Sequence, residues 1–288
     1  MFEDNPTEYF LNTELIVHAG GMSERWWPVT QGRIPKPITE VGKKPRPILD
    51  WVILPYVIAG IKRVYVSLWN KPEAVIEHCK NIEKCCDVKF TFLVEPTEKR
   101  LGRAGVVKRY LEEKVLDEKK PKLSINCSDI IKINPVELAK FQTIGLKKGF
   151  YGTVVGCATE ISLIGRMVCS PDTKVVKSFQ EKPTTVLPKG EYINTGMFYL
   201  DGSRSAEYYS ISDSELPLDW ERSAFFMRMC KEGVIRCLEA VQPLKTWLWL
   251  KNQQDFRKVN MMDLENFLEV TSADRYLGEY KPNNNHQV

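Results

Sequence analysis

The stretch Glu14 to Pro37, ELIVHAGGMSERWWPVTQGRIPKP, decides how this chain of 288 residues is read. It opens with Leu15, Ile16, Val17, His18 and Ala19, a short apolar run with the signature of a buried strand. Gly20 and Gly21 close that strand, and the polar loop after them carries Arg25 and then Lys36 inside Pro35-Lys36-Pro37. Two adjacent glycines put no Cβ between their backbone N–H groups and a ligand. An arginine and a lysine on one loop suit a polyphosphate, the first as a planar fork and the second as a point charge.

Outward from this loop, Pro47 precedes LDWVILPYVIAG, with Gly60 at its end. Proline at the start and glycine at the end predict a helix, which Pro55 should kink or split. Arg63 to Leu68 reads as a strand, Pro72 to about Cys85 as a helix, and Val88 to Val94 as a third strand. This alternation predicts βαβ units and a mostly parallel sheet. After Leu101-Gly102-Arg103-Ala104-Gly105 and a helix to about Leu116, the strand Lys122–Cys127 ends at Ser128-Asp129. Ile130 and Ile131 follow Asp129 in place of a helix start, so a capping role is not the obvious one. The carboxyl end of a strand in an open α/β sheet is where ligands bind. Beyond a helix at about 135–146, the stretches Tyr151–Thr159, Leu163–Cys169 and Lys174–Phe179 are strand-like with short turns, which predicts antiparallel pairing. Glu181-Lys182-Pro183 and Tyr192–Tyr199 follow, then a helix near Asp219–Lys231, a strand near Val234–Leu238, a terminal helix and a polar tail.

Composition removes several classes. A net charge of +4, with no basic tract, argues against nucleic acid as the main partner. Eight cysteines form no CxxC pair, which argues against zinc and for a reducing, cytoplasmic setting. The acidic N-terminus with Pro6 does not read as a signal peptide. The longest apolar run, Ile48–Ile61, contains Asp50 and Pro55 and is too short to span a bilayer. Three histidines and no G-x-S-x-G exclude a serine hydrolase, and neither G-x-G-x-x-G nor a P-loop is present. His18 reads as a core residue, and the pair Trp26-Trp27 is given no role.

Gly20, Gly21, Arg25, Pro28, Thr30 and Pro35-Lys36-Pro37 resemble the signature loop of the sugar-1-phosphate nucleotidylyltransferases, G-G-x-G-[TS]-R-x-x-P-x-T followed by P-K-P. Ser23 stands at that motif's third glycine and Glu24 at its threonine or serine. Leu101–Gly105 resembles the family's L-G-T-A-G loop, Ser128-Asp129 its G-D element, and Phe179–Pro183 with Ile193–Gly196 its F-x-E-K-P and I-N-x-G. The resemblance spans roughly Leu15 to Asn260. It implies a three-layer α/β/α nucleotidyltransferase fold with a mixed, mostly parallel central sheet. An extension would cover residues 1–13, a nucleotide half 14–149, an acceptor half 150–262, and a helix with a polar tail 263–288.

It further implies transfer of a nucleoside monophosphate from an NTP to a sugar 1-phosphate, with pyrophosphate released. Arg25, Lys36 and Asp129 would be catalytic, and Asp129 would hold Mg²⁺. Ala19, Gly20, Gly21 and Gly102 would bind the nucleotide, and Gly152, Glu181, Lys182 and Asn194 the sugar phosphate. Family members carry W-x-D-x-G-T-P near Trp247, where the Asp is a second metal ligand. Aligned without gaps, Trp249 falls on that Asp and Lys251 on the Gly. Two other readings stay open: a regulatory subunit that binds NDP-sugar beside an active paralogue or in a homo-oligomer, and a transferase with a non-sugar phosphate acceptor. KSFQEKP and Asp219–Arg222 lean toward CTP and glucose 1-phosphate.

Overall fold

The computed structural model describes residues 4–158, 165–180, 191–209, 224–242 and 244–281. Its strands, in chain order, are β1 (Glu14–His18), β2 (Glu40–Val41), β3 (Arg46–Pro47), β4 (Arg63–Leu68), β5 (Lys89–Val94), β6 (Lys122–Asn126), β7 (Asp129–Ile131), β8 (Gly152–Cys157), β9 (Arg166–Cys169), β10 (Val176–Gln180), β11 (Glu191–Leu200), β12 (Ile235–Val241) and β13 (Trp247–Trp249). Two compact units interleave along the chain. The first comprises Met1–Ile16, Glu95–Ile125 and Asn134–Pro243, and the second Val17–Val94, Asn126–Ile133 and Leu244–Val288. Glu95–Ile125 clusters with the strands of the later half.

In the first unit the strand order is β10-β9-β11-β6, with β8 beside β11 and β12 beside β8. β11 runs antiparallel to β6, β8 and β9, whereas β12 and β8 are parallel. The sheet is mixed, and its antiparallel part is the one that the short turns after residue 150 predict. Helices Pro135–Leu146 and Ala224–Glu232 pack on β8 and β10. Asn5 caps the helix Pro6–Leu11, whose Tyr9 and Phe10 are buried, and that helix packs on Pro135–Leu146. Thr13 Oγ1 lies 2.6 Å from the Tyr199 hydroxyl.

In the second unit the end of β1 leads to β4, which pairs in parallel with β5. Ala19 N–H donates to Ser67 C=O at 2.8 Å, which extends the pairing one residue past β1. Helix Ile48–Ile58 runs through Pro55 unsplit, and its residues from Ile48 to Leu54 are buried. Such an all-round apolar helix is stable only in a core. Its buried Asp50 accepts from Arg46 Nη2 at 3.0 Å and lies 2.6 Å from His78 Nε2. Arg46 also pairs with Asp274, so this ion-pair cluster fastens the helix Asp274–Leu277 to the unit. Opposite charges buried together must satisfy one another in this way.

Candidate active site

The signature loop leaves the end of β1 under tight constraint. A Cβ on Gly20 would stand 2.9 Å from the Trp69 nitrogen and 3.1 Å from the Leu68 carbonyl carbon. Glycine is thus demanded at this position by the backbone that follows β4, independently of any ligand. Gly21 differs, since a Cβ there would meet only Ser23 Oγ, at 3.9 Å. Ser23, at the motif's third glycine, has φ +56° and ψ +36°. The left-handed backbone that favours glycine is therefore kept, although a side chain is now attached. The two glycines should separate experimentally. Gly20→Ala is expected to cost about 2 kcal/mol of stability through overlap with backbone. Gly21→Ala should stay within about 0.5 kcal/mol of wild type while weakening nucleotide binding. Thermal melts beside calorimetric titration check both, and equal melting losses would refute the distinction.

Arg25 is exposed, and Trp26 beside it is buried with its ring edge-on to Phe256 at 5.6 Å. Trp26 is core packing, whereas Trp27 is half exposed. Lys36 lies with its ammonium 4.6 Å from the Trp26 ring centroid and donates to the Leu250 carbonyl. Burial above all, then the Lys251 ammonium, pushes the Lys36 amine down to about 7, against the pull of Asp129.

Asp129 begins β7, which pairs antiparallel with β13 so that Trp249 stands directly opposite Asp129. Residues opposite one another in an antiparallel pair share a face, so a tryptophan fills the place across from the carboxylate. Asp129 itself is occupied. Its Oδ1 accepts from the Trp247 indole N–H at 3.1 Å. Its Oδ2 accepts from the Lys251 ammonium at 2.7 Å and from the Ser128 hydroxyl at 2.8 Å. Lys251 also donates to Ser128 Oγ at 2.7 Å. The Asp255 carboxylate holds the backbone there, accepting from the N–H groups of Lys251 and Asn252 at 2.9 and 3.1 Å. Asn252 and Asp255 form a capping box that starts the helix Gln253–Asn260.

Against this donor set a divalent cation does not fit. Magnesium needs oxygen ligands in octahedral array, yet an ammonium sits on one carboxylate oxygen and an indole occupies the facing position. Among the described residues no group of three or more His, Cys, Asp or Glu could hold a metal ion. Asp129 is instead paired here with Lys251, whose ammonium neutralises the carboxylate. Neither Lys251 nor Ser128 stands among the residues the sequence singled out as functional. The available signal was the gapless alignment with the resembled motif, which puts Trp249 on its Asp and Lys251 on its Gly.

The remaining expected residues lie in other surroundings. Ala19 N–H is committed to the sheet. In the first unit, Glu95 Oε2 accepts from the N–H groups of Leu101 and Gly102 at 2.6 and 3.1 Å. The Gly102 amide is therefore spent on this carboxylate, and its φ of +76° explains the glycine. Gly152 is buried, and a Cβ there would stand 2.7 Å from Leu200 Cδ2, which is a packing requirement. Asn194 is buried in β11, where its Oδ1 accepts from Gly196 N–H at 2.8 Å and steadies the irregular stretch between Asn194 and Phe198. Glu181 and Lys182 lie outside the described residues, as do Asp219–Arg222.

Comparison with known proteins agrees with this loop and fold. A mannose-1-phosphate guanyltransferase of Yarrowia lipolytica is 33% identical over 190 residues, covering 65% of this chain and 49% of that protein. One from Debaryomyces hansenii is 34% identical over 191 residues, with the same coverage. One from Aspergillus oryzae is 29% identical over 228 residues, 78% of this chain and 57% of its own length. The chain thus spans about half the length of the curated relatives it matches. Among solved structures, a Bacillus anthracis protein assigned as a glucose-1-phosphate thymidylyltransferase and crystallised with sucrose superposes with a TM-score of 0.72. It is 16% identical, over 93% of this chain and all of that one, and supports the fold. The model of the family described as nucleotidyl transferase matches residues 14–265, and this chain belongs to that family.

Proposed function

We propose that this protein transfers a nucleoside monophosphate from an NTP to a sugar 1-phosphate, giving an NDP-sugar and pyrophosphate. The observation that carries the reading is the family match over residues 14–265 with the whole Gly20–Lys36 loop inside it. Such transfer needs positioning and charge stabilisation more than covalent participation by the protein. The sugar phosphate oxygen attacks the α-phosphorus while pyrophosphate departs on the opposite side. Arg25 neutralises the departing pyrophosphate, Lys36 the α-phosphate, and Gly21 leaves room for the phosphates at the end of β1. Lys182 and Glu181 meet the acceptor phosphate and Asn194 the sugar. No described helix is long and apolar enough to cross a membrane. All eight cysteines are free, which fits a reducing, cytoplasmic setting.

The relatives favour GTP and mannose 1-phosphate as the first pair to assay, ahead of CTP and glucose 1-phosphate. Pyrophosphate release should be measured with five NTPs against a panel of hexose 1-phosphates and, for the non-sugar alternative, phosphocholine. Release with one pair well above the rest supports the reading, and no release with any pair overturns it. The occupied Asp129 favours a second reading, an NDP-sugar-binding protein that acts beside an active paralogue. Tight NDP-sugar binding without turnover would select it.

Lys36 gives the site a predictable pH response. With its amine at about 7 in the free protein, Lys36 is mostly neutral at pH 8 and must take up a proton to meet a phosphate. Nucleotide affinity is therefore highest below pH 7 and falls by up to roughly tenfold per pH unit above it. Lys36→Arg keeps its charge throughout and should flatten the profile between pH 7 and 9. A wild-type affinity independent of pH over that range would refute this role.

A further inference from the structure

We propose that Lys251 is the built-in cation of this phosphate site: its ammonium, seated on Asp129 and Ser128, meets the nucleotide's phosphate oxygens and makes binding independent of a divalent ion. The inference rests on the nucleotide reading above and goes beyond it, because that reading leaves the source of charge at Asp129 open. The geometry of the pair is asymmetric. The Asp129 side chain is 1% exposed and that of Lys251 28%, so the lysine is partly open to solvent and the carboxylate is not. Two of the ammonium's three protons go to Asp129 Oδ2 and Ser128 Oγ, both at 2.7 Å, and the third has no protein acceptor within hydrogen-bonding distance among the described residues. An ammonium has no other use for that donor than an external acceptor or water.

The placement is also fixed. Asp255 accepts from the Lys251 N–H at 2.9 Å and Leu250 N–H donates to Ser128 C=O at 2.8 Å, which clamps the backbone on both sides of the Lys251 side chain's origin. The indole of Trp247 restrains the other carboxylate oxygen. A flexible surface lysine has none of these restraints. Lys36 reaches the Leu250 carbonyl one residue away from Lys251, so once Lys36 is protonated two ammonium groups converge on one segment near a single buried carboxylate. The local balance is positive and suits phosphate oxygens. A divalent ion placed on Asp129 would first have to displace the ammonium, which repels it at close range. With Trp249 opposite Asp129 and Lys251 on its carboxylate, the positive charge at this site is a tethered one.

The test is calorimetric titration of the full chain with GDP, and with ADP, CDP, UDP and dTDP, in excess EDTA and in excess Mg²⁺. Electron paramagnetic resonance of Mn²⁺ with the nucleotide-free protein accompanies it. At least one nucleotide is expected to bind in EDTA with a Kd within about threefold of its value in Mg²⁺, a difference small beside any metal-bridged contact. The protein alone should leave Mn²⁺ free. Lys251→Met should weaken EDTA binding by roughly tenfold or more, the scale of one charge-assisted hydrogen bond. Lys251→Arg, which restores the charge, should recover most of it. Because Lys251→Met leaves Asp129 unpaired and could unfold the protein, the wild-type comparison of EDTA with Mg²⁺ decides the matter without it. Binding that appears only with Mg²⁺, or Mn²⁺ held by the nucleotide-free wild type, would overturn the inference and leave the nucleotide reading standing. Binding of no nucleotide in either buffer would overturn both.

Discussion

Asp129→Asn should lower stability by about 3 kcal/mol, far more than its conservative shape suggests. Asp129 receives three donors on two oxygens: the Trp247 indole N–H on Oδ1, and the Lys251 ammonium with the Ser128 hydroxyl on Oδ2. An asparagine offers one acceptor oxygen and one NH₂ group. Whichever way the amide turns, its NH₂ faces either the indole N–H or the ammonium, donor against donor. The charge that balances Lys251 disappears as well, and a partly buried ammonium is left without its counter-ion. Lys251 can swing toward solvent, which places the loss at the lower end of the range for a broken buried pair. For a chain of this size such a loss corresponds to a fall in Tm of roughly 6–12 °C. Urea denaturation and thermal melts measure it directly. A double-mutant cycle with Lys251→Met should recover part of the loss, because both partners then go together. A melting point unchanged by Asp129→Asn would show that the three contacts do not hold in solution.

What could be read in advance and what could not follow from the range of the interactions involved. Helix Pro72–Cys85 and strand Arg63–Leu68 are announced by proline, periodicity and β-branched residues within their own length, and the structure keeps those bounds. Asp129 reads as the residue just past a strand, whereas the structure starts the short strand β7 at it. The contact between Asp129 and Lys251 is not local. It spans 122 residues and depends on the pairing of β7 with β13, which no local pattern records. The glycines illustrate the same limit. Gly20 and Gly152 read as ligand glycines from their motifs, yet their missing Cβ atoms are required by Trp69 and Leu200 respectively. Trp26 carries no pattern to distinguish it from Trp27, and only the fold puts one under Lys36 and leaves the other half exposed. The N-terminal helix was hidden for another reason. Six residues are too few for a periodicity, although Asn5 and Pro6 together form a proper helix start.

The largest gain of function is expected from changing positions 249 and 251 together. Trp249 lies directly opposite Asp129 across the β7–β13 pair, and side chains in that relation have Cβ atoms about 4.5–5.5 Å apart on one face. Two carboxylates so placed can share one divalent ion, which accepts one or two protein carboxylates and fills its remaining positions with water. Trp249→Asp alone should not create the site, because the new carboxylate would add a second counter-ion for the Lys251 ammonium. Lys251→Gly alone frees Asp129 Oδ2 but supplies only one carboxylate. The double variant Trp249→Asp/Lys251→Gly removes a positive charge near the ion and adds a negative one. Each such charge is worth up to about 4 kcal/mol at close range in a partly shielded setting. Even after screening, Mn²⁺ affinity should rise by at least roughly a hundredfold over the wild type. Trp249 is only partly buried and packs edge-on against Trp247 at 5.0 Å, so losing its ring contact should cost about 1 kcal/mol beyond the lost burial. Paramagnetic resonance of Mn²⁺ and melting curves with and without Mg²⁺ read the outcome, since a bound ion raises Tm. A double variant that folds and still leaves Mn²⁺ free would show that position 249 does not face the Asp129 carboxylate, and with it the account of Lys251 as a replacement cation would fall.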